Sequence, residues 1–119
     1  MSVPEVITVD GVKYVRRAPV DENGLPYRIV RCRDAGVFAG FVESADDVNG
    51  VYVVRQARRL WYWSGAASLS QLALEGVKNP KDCKFPAAMD RVKLLGVVEV
   101  LEPTEQARVS IDGVPVWKV

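Results

Sequence analysis

Short apolar runs alternate with turn signals along the first half of the chain. Residues 6–9 and 12–15 are rich in β-branched side chains and flank the dipeptide Asp10-Gly11. Asp and Gly tolerate the positive φ of a tight two-residue turn, so this pattern predicts a β-hairpin. Two more apolar runs, at residues 27–33 and 36–43, predict the next two strands.

Further strands are predicted on both sides of a helical segment. Residues 51–54 open a strand that can run on through Trp63. Residues 91–101 predict one long strand that is interrupted at Gly96. A glycine inside a strand, such as Gly40, indicates a bulge or a close approach of two backbones.

Residues 65–75 have the composition of an α-helix. Apolar side chains recur there at the i, i+3, i+4 spacing that lines one helix face. Ser64 is a candidate N-cap, and Gly76 is a candidate C-terminal stop. Asn79-Pro80 blocks continuation of the helix, so residues 78–86 are predicted to form a loop.

The C-terminal part predicts a second, shorter helix. Residues 103–108 form this helix with Pro103 in its first turn, and residues 112–119 form a last turn and strand. The chain is therefore predicted to fold as a single α+β domain that spans residues 1–119. Its core would be a small, mostly antiparallel β-sheet with one central helix and a short C-terminal helix.

Charge and hydrophobicity limit the possible functions. The 119 residues are 49% hydrophobic, which is typical of a folded domain. Sixteen basic and 15 acidic residues leave a net charge of +1. This balance disfavours generic binding to nucleic acid and leaves little repulsion between copies, so we expect a homo-oligomer. The sequence shows no apolar run long enough to span a bilayer and no signal peptide at Met1–Glu5, so no membrane partner is expected.

The chain contains no histidine. The commonest general base and metal ligand are thus missing, which excludes a His-based triad and the usual His-containing zinc sites. Cys32 and Cys83 are predicted to be two buried thiols in a reducing cytosol, with a disulfide between them as the open alternative. No acidic spacing matches a calcium loop or a two-metal site. We therefore predict no enzyme activity, no cofactor and no metal.

The segment from residue 55 to residue 68 has the composition of a nucleotide-binding site. Its arginines offer rigid charged donors to phosphate, and its aromatic side chains offer flat faces for a base. Its small residues let a ligand approach the backbone, and a helix that began there would turn its first N–H groups towards an anion. The predicted ligand-binding residues are Arg55, Arg58, Arg59, Trp61, Tyr62, Trp63, Ser64, Gly65, Ala66 and Ser68.

Structural roles for the same residues stay open. In a strand, Trp61 and Trp63 point to one face, and two such tryptophans also suit a hydrophobic core. Arg58 and Arg59 can instead cover a sheet edge or pair with the acidic turn at residues 46–47, and the serines can simply cap the helix. A second basic cluster consists of Arg28, Arg31 and Arg33. It is either a solvated strand face or a source of phosphate contacts for a neighbouring subunit's site.

Several runs of the sequence match one known pattern. The longest is residues 59–73, RLWYWSGAASLSQLA, followed by EGVK at 75–78 and CKFP at 83–86. AGVFAG at 35–40 and VPVWKV at 114–119 are similar to it as well. Together these runs resemble DUF6948, a family of uncharacterised function found in bacteriophages and prophages. The resemblance covers most of the chain and implies a phage setting, but it implies no chemistry and no site residues.

In that setting, the leading hypothesis is a phage anti-defence protein in the host cytoplasm. It would bind and sequester a nucleotide-derived immune second messenger, of the cyclic or conjugated ADP-ribose type, without cleaving it. Arginines would hold phosphate, aromatic rings would stack on the base, and the serines and small residues would contact phosphate or ribose. Two alternatives stay open: a phage structural or protein-interaction component without a small-molecule ligand, and a weak binder of host nucleic acid.

Overall fold

The computed structural model describes residues 5–9, 12–16, 21 and 23–118, and it describes side chains for residue 21 and residues 23–118. Strands β1 (Glu5–Val9) and β2 (Val12–Arg16) pair antiparallel in a two-stranded sheet, with Val9 opposite Val12. The predicted hairpin is therefore confirmed. The turn at Asp10-Gly11 itself lies outside the described residues.

The main sheet has five antiparallel strands in the order β6-β5-β4-β3-β7. The strands are β3 (Tyr27–Cys32), β4 (Gly36–Asp46), β5 (Val51–Arg59), β6 (Met89–Leu94) and β7 (Val97–Leu101). The predicted strands at residues 27–33 and 36–43 are confirmed. The expectation that the third strand runs on through Trp63 is wrong, because β5 ends at Arg59.

The sheet curls so that its two edge strands approach each other. β6 and β7 lie at opposite edges, yet only Leu95 and Gly96 separate them in sequence. Gly96 has φ +71°, a conformation that favours glycine, and its carbonyl accepts a 2.9 Å hydrogen bond from the backbone N–H of Arg33. The predicted interruption at Gly96 is therefore confirmed, but the expectation of one long strand over residues 91–101 is wrong, because the glycine turns the chain from one edge of the sheet to the other.

Gly40 marks a bulge between β4 and β5, as predicted. Ala39 pairs with Arg58 and Phe41 with Arg55, so Gln56 and Ala57 both stand opposite this single glycine. A Cβ at Gly40 would lie 2.6 Å from Val54 Cγ1, so no other residue fits there without a shift. The extra residue in β5 reverses the alternation of its side chains after this point.

The first helix is shorter than predicted. α1 spans Leu69–Glu75, and its N-cap is Ser68, whose hydroxyl accepts a hydrogen bond from the Gln71 backbone N–H. The expectation of a helix from residue 65 capped by Ser64 is wrong, since Gly65 has φ +91° and lies outside the helix. The stop at Gly76 is confirmed. Within the predicted loop, Pro80–Asp82 forms a single 3₁₀ turn.

The second helix is longer than predicted. α2 spans Glu105–Asp112, and Thr104 is its N-cap, with Pro103 just before the cap. The expected C-terminal strand is wrong for residues 114–118, which contain one isolated bridge between Phe85 and Val116.

The two faces of the sheet belong to two separate hydrophobic clusters. The inner cluster fills the curl of the sheet and includes Val30, Phe38, Tyr52, Val54 and Leu94. The outer cluster lies between the other sheet face and the helices, and includes Ile29, Leu60, Leu72, Phe85 and Ile111. The predicted α+β class with an antiparallel sheet is confirmed, although α1 packs with α2 on one face of the sheet and is not obviously central.

Candidate ligand-binding site

Arg58 is a buried structural residue. Its side chain is 8% exposed and lies on the face of the sheet that the helices cover. The guanidinium donates hydrogen bonds to four backbone carbonyls, those of Phe85, Pro86, Ile111 and Val114, at 2.6–3.1 Å. Burial lowers its pKa, but a guanidinium stays charged near neutral pH. Its donors are thus committed to the protein's own backbone.

Arg55 belongs to an ion-pair network on the surface. Its Nε lies 2.6 Å from Glu43 Oε1, and Arg91 binds the other carboxylate oxygen at 2.9 Å. Hydrogen bonds from Arg91 and Arg55 lower the pKa of Glu43 to about 2. Glu43 on β4 therefore binds one arginine from β5 and one from β6 at the surface.

Arg59 is exposed and held in place. Its guanidinium carbon lies 4.3 Å from the centroid of the Phe38 ring, and its Nη1 donates a 2.5 Å hydrogen bond to the carbonyl of Ala35. In the part of the chain that the structure describes, it forms no ion pair. The ring and the carbonyl fix the plane of the fork, while Nε and Nη2 form no hydrogen bond with any described residue.

A cleft of about 480 Å³ lies beside Arg59, between the β3–β4 turn and the chain that follows β5. A volume of this size is within the range of small-molecule sites. This Arg59 cleft brings together three of the residues that the sequence predicts for ligand binding. It is lined by Asp34, Ala35, Gly36, Val37, Arg59, Leu60, Trp61 and Trp63.

The two neighbouring tryptophans have different environments. Trp63 is half-buried and packs against the outer hydrophobic cluster, whereas Trp61 is 61% exposed. Trp61 stacks on Trp117 with a centroid distance of 5.7 Å and an interplanar angle of 5°. The alternative that both tryptophans are core residues stayed open. It is correct in part for Trp63, which is half-buried against the cluster, and incorrect for Trp61, which is exposed.

An exposed aromatic platform surrounds Lys84. Its Nζ lies 5.5–5.8 Å from the ring centroids of Trp61, Tyr62 and Trp117. Tyr62 is 50% exposed, and its backbone pairs with that of Lys84 in an isolated bridge. This platform, made of Trp61, Tyr62, Lys84 and Trp117, shares Trp61 with the Arg59 cleft.

The predicted small and hydroxyl residues hold the loop that precedes α1. The Ser64 hydroxyl accepts a 3.2 Å hydrogen bond from Asn79 Nδ2, and Gly65 packs so tightly that a Cβ would lie 2.5 Å from the Lys78 nitrogen. Ala66 packs against the outer cluster, and Ser68 caps the helix. The helix starts after these residues, so its first N–H groups do not form the anion site that the sequence suggested.

The cysteines and the basic cluster on β3 also have structural surroundings. Cys32 and Cys83 are both buried without a disulfide, and burial raises the pKa of the Cys32 thiol. Cys83 Sγ accepts a 3.3 Å hydrogen bond from the backbone N–H of Ser64, which fixes the start of that loop. On β3, Arg31 forms an ion pair with Glu99 at 2.7 Å.

Sequence reasoning missed Asp34, Lys84 and Trp117. Asp34 lies on a turn about 25 positions before Arg59, and Lys84 and Trp117 come from two later segments. Trp117 was visible only as part of the C-terminal run that resembles the family. No local spacing links these residues to the central segment, because the sheet and the Phe85–Val116 bridge bring them together.

Comparison with known proteins identifies the family. The model of a domain of unknown function, DUF6948, matches residues 25–111, well over half of the chain. The chain belongs to the DUF6948 family. The matched residues include the Arg59 cleft and Lys84 but end before Trp117. No curated protein and no solved structure matched the chain.

The described residues contain neither a cluster of metal ligands nor a helix that could span a membrane. Residue 21 and residues 23–118 contain no group of three or more Cys, Asp or Glu side chains placed to hold a metal ion. None of the helices in the described part is long and apolar enough to cross a membrane.

Proposed function

We propose that this DUF6948 protein binds a nucleotide-derived ligand in the Arg59 cleft and holds it without cleaving it. The observation that carries the proposal is the meeting of Arg59, Trp61 and Trp63 in one cleft. A guanidinium fork binds phosphate oxygens in a fixed plane, and an indole offers a flat face on which a base can stack. The phosphate and the base of a nucleotide would thus each contact a binding residue within one cavity.

The surroundings of the other arginines support this choice of anion contact. An arginine whose donors already bind carboxylates or carbonyls offers less to a phosphate. Of the described arginines, Arg31, Arg55, Arg91 and Arg108 bind carboxylates and Arg58 binds four carbonyls, whereas Arg28 and Arg59 each bind one carbonyl. Arg59 combines a fixed position with a place on the wall of a cleft.

Sequestration requires no group in the cleft to move a proton. The ionisable side chains on its wall are Asp34 and Arg59, which can hold a ligand by hydrogen bonds alone. We therefore propose that the ligand leaves the protein intact.

The family resemblance implies a bacteriophage setting, and from this setting we propose a biological role and a ligand class. A binder without turnover would act as an anti-defence protein in the host cytoplasm, by sequestering an immune second messenger of the cyclic or conjugated ADP-ribose type. The edge strands β6 and β7 each pair on one side only within the described sheet, which supports the expectation of a homo-oligomer.

A second candidate function, a protein-interaction component, is favoured by the aromatic platform. Trp61 and Tyr62 are exposed and lie beside the half-buried Trp117, and exposed tryptophan and tyrosine are typical of interaction hot spots. In that case the platform would contact another protein, and the Arg59 cleft would stay without a small-molecule ligand.

Native mass spectrometry and calorimetric titration with ADP-ribose, cyclic ADP-ribose and ADP test the proposal. We expect at least one of them to bind the full chain and to be recovered intact after denaturation. The matched variants are Arg59→Ala, which removes the cleft's cation, and Arg55→Ala, which removes a surface cation outside it. Absence of binding by all three ligands, or recovery of a cleaved product, contradicts the proposal.

A further inference from the structure

Asp34 has a defined place at the rim of the Arg59 cleft. It is the middle residue of the three-residue turn that joins Cys32, at the end of β3, to Gly36, at the start of β4. Gly36 has φ +94°, a conformation that favours glycine and closes turns of this length. The carboxylate therefore projects from a short, constrained turn and not from a long loop.

Asp34 differs from the other carboxylates that line clefts in this protein. A smaller cleft near β7 includes Asp47 and Glu99. Asp47 accepts a hydrogen bond from the Tyr52 hydroxyl, and Glu99 pairs with Arg31 at 2.7 Å. Among the residues that the structure describes, Asp34 has neither a hydrogen-bond donor nor an ion-pair partner for its side chain. Its carboxylate is thus available to a ligand.

Arg59 and Asp34 share the cleft without forming an ion pair. An ionised carboxylate only accepts hydrogen bonds, and a guanidinium only donates them. Asp34 would therefore repel a phosphate and accept hydrogen bonds from hydroxyl groups, whereas Arg59 would donate hydrogen bonds to phosphate oxygens. A ligand that suits both has an anionic group close to hydroxyls, which is the chemistry of a phosphorylated ribose.

We propose that Asp34 binds the ribose hydroxyls of the ligand while Arg59 binds the adjoining phosphate. The site then selects ribonucleotides over 2′-deoxyribonucleotides, because the deoxy form lacks one of the hydroxyl donors that a carboxylate can bind. This inference rests on the proposed nucleotide-binding function and names the sugar that the site reads. Asp34 is a specificity-determining residue in this scheme, and no bond is made or broken.

The test compares ADP with 2′-deoxyADP by calorimetric titration of the full chain. We expect the wild type to prefer ADP by roughly 10- to 150-fold, the effect of one hydrogen bond to a charged group. Asp34→Ala should reduce that preference to near unity by weakening ADP, while 2′-deoxyADP binds as before or more tightly. Asp34→Asn, which keeps the shape but not the charge, should give an intermediate preference. Glu102→Ala, at an exposed carboxylate outside the cleft, should keep the wild-type preference.

Three outcomes separate this inference from the function on which it rests. If wild type binds ADP and 2′-deoxyADP equally well, the ribose contact is wrong and the nucleotide site stands. If the preference persists in Asp34→Ala, another residue reads the ribose and the inference is overturned. If neither nucleotide binds, the inference is again overturned, and binding of ADP-ribose under the same conditions decides whether the proposed function survives.

Discussion

Arg58 and Arg59 are neighbours at the end of β5, but they face opposite sides of the sheet. The side chain of Arg58 lies under the helices and binds four backbone carbonyls. The side chain of Arg59 lies across the Phe38 ring at the wall of a cleft. Identical chemistry thus stabilises the fold on one side and is available to a ligand on the other.

The contrast between these two arginines shows that amino-acid composition alone does not tell whether an arginine stabilises the fold or is available to a ligand. On the Arg58 side, the carbonyls come from Phe85, Pro86, the last turn of α2 and Val114. Two of them, those of Phe85 and Ile111, also accept hydrogen bonds from backbone N–H groups. A buried charge binds all four carbonyls and joins three segments to the sheet. On the Arg59 side, one carbonyl and one ring position the guanidinium at the wall of the cleft.

The largest effect is expected on the buried side. Arg58→Met keeps an apolar stem but removes the donors of four buried carbonyls, so the free energy of unfolding should fall by about 3–5 kcal/mol. Urea unfolding at pH 7 measures this change. Arg55→Met, which removes an exposed ion pair, is the matched control and should leave the midpoint near that of wild type. Equal midpoints for the two variants would show that Arg58 does not anchor the helices.

The tryptophans should divide in the same way. Trp63→Ala removes a half-buried side chain from the outer cluster and should lower the free energy of unfolding by about 2–4 kcal/mol, less than for a fully buried tryptophan. Trp61→Ala should leave unfolding near wild type and weaken binding of ADP by about 1–3 kcal/mol, the value of one stacked base. Far-ultraviolet circular dichroism and calorimetric titration measure the two effects. A large loss of stability in Trp61→Ala would place this side chain in the fold.

Arg59→Ala tests the cleft side directly. Loss of a charge-assisted hydrogen bond to phosphate should weaken binding of ADP-ribose by about 1.5–3 kcal/mol, or roughly 10- to 150-fold, with a small change in melting temperature. Arg59→Lys keeps the charge without the planar fork and should recover part of the affinity. Wild-type affinity in Arg59→Ala, with Arg55→Ala equally unaffected, would move the phosphate site elsewhere.

Gly40→Ala tests the bulge in β5 that turns Arg58 to one face of the sheet and Arg59 to the other. The added methyl would lie 2.6 Å from Val54 Cγ1 and 2.7 Å from the Arg55 carbonyl oxygen, so the bulge must shift. We expect the free energy of unfolding to fall by about 1–3 kcal/mol, as for other overpacked sites. Gly113→Ala is the matched control, because Gly113 has φ −77° and an added Cβ there would come no nearer than 3.3 Å to the Val109 carbonyl oxygen. An equal or larger loss in Gly113→Ala would mean that packing at the bulge is loose.

The smallest expected effect is a pH-dependent change in stability that comes from the ion pairs of Glu43 with Arg55 and Arg91. The pKa of Glu43 is lowered to about 2 from an ordinary value of 4.5, first by its hydrogen bond with Arg91 and then by that with Arg55. A depressed carboxylate pKa stabilises the fold above the unfolded value, and this stabilisation is lost as pH falls through the folded value. The urea midpoints of wild type and Glu43→Gln should therefore differ most at neutral pH and converge between pH 4.5 and 2. A difference that stays constant over this interval contradicts the prediction.

Local signals in the sequence were sufficient for the elements that depend on few neighbours. The β1–β2 hairpin, strands β3 and β4, the bulge at Gly40 and the stop at Gly76 follow from turn residues and short-range alternation. The start of α1 was misplaced because both Ser64 and Ser68 are able to cap a helix, and the positive φ of Gly65 excludes the earlier start. The candidate site was predicted in part, since Arg59, Trp61 and Trp63 lie in one stretch of sequence.

The sequence by itself determined an α+β chain without histidine whose arginines and aromatic residues concentrate after β5. Only the tertiary structure decided which arginine is buried and which lines a cleft. The reason is the extra residue in β5 opposite Gly40, where Gln56 adopts φ +50°. A bulge of one residue exchanges the two faces of the strand beyond it, so Arg58 meets the helices and Arg59 meets the turn that carries Asp34. Residue types alone do not reveal that reversal, because it depends on how two strands are paired.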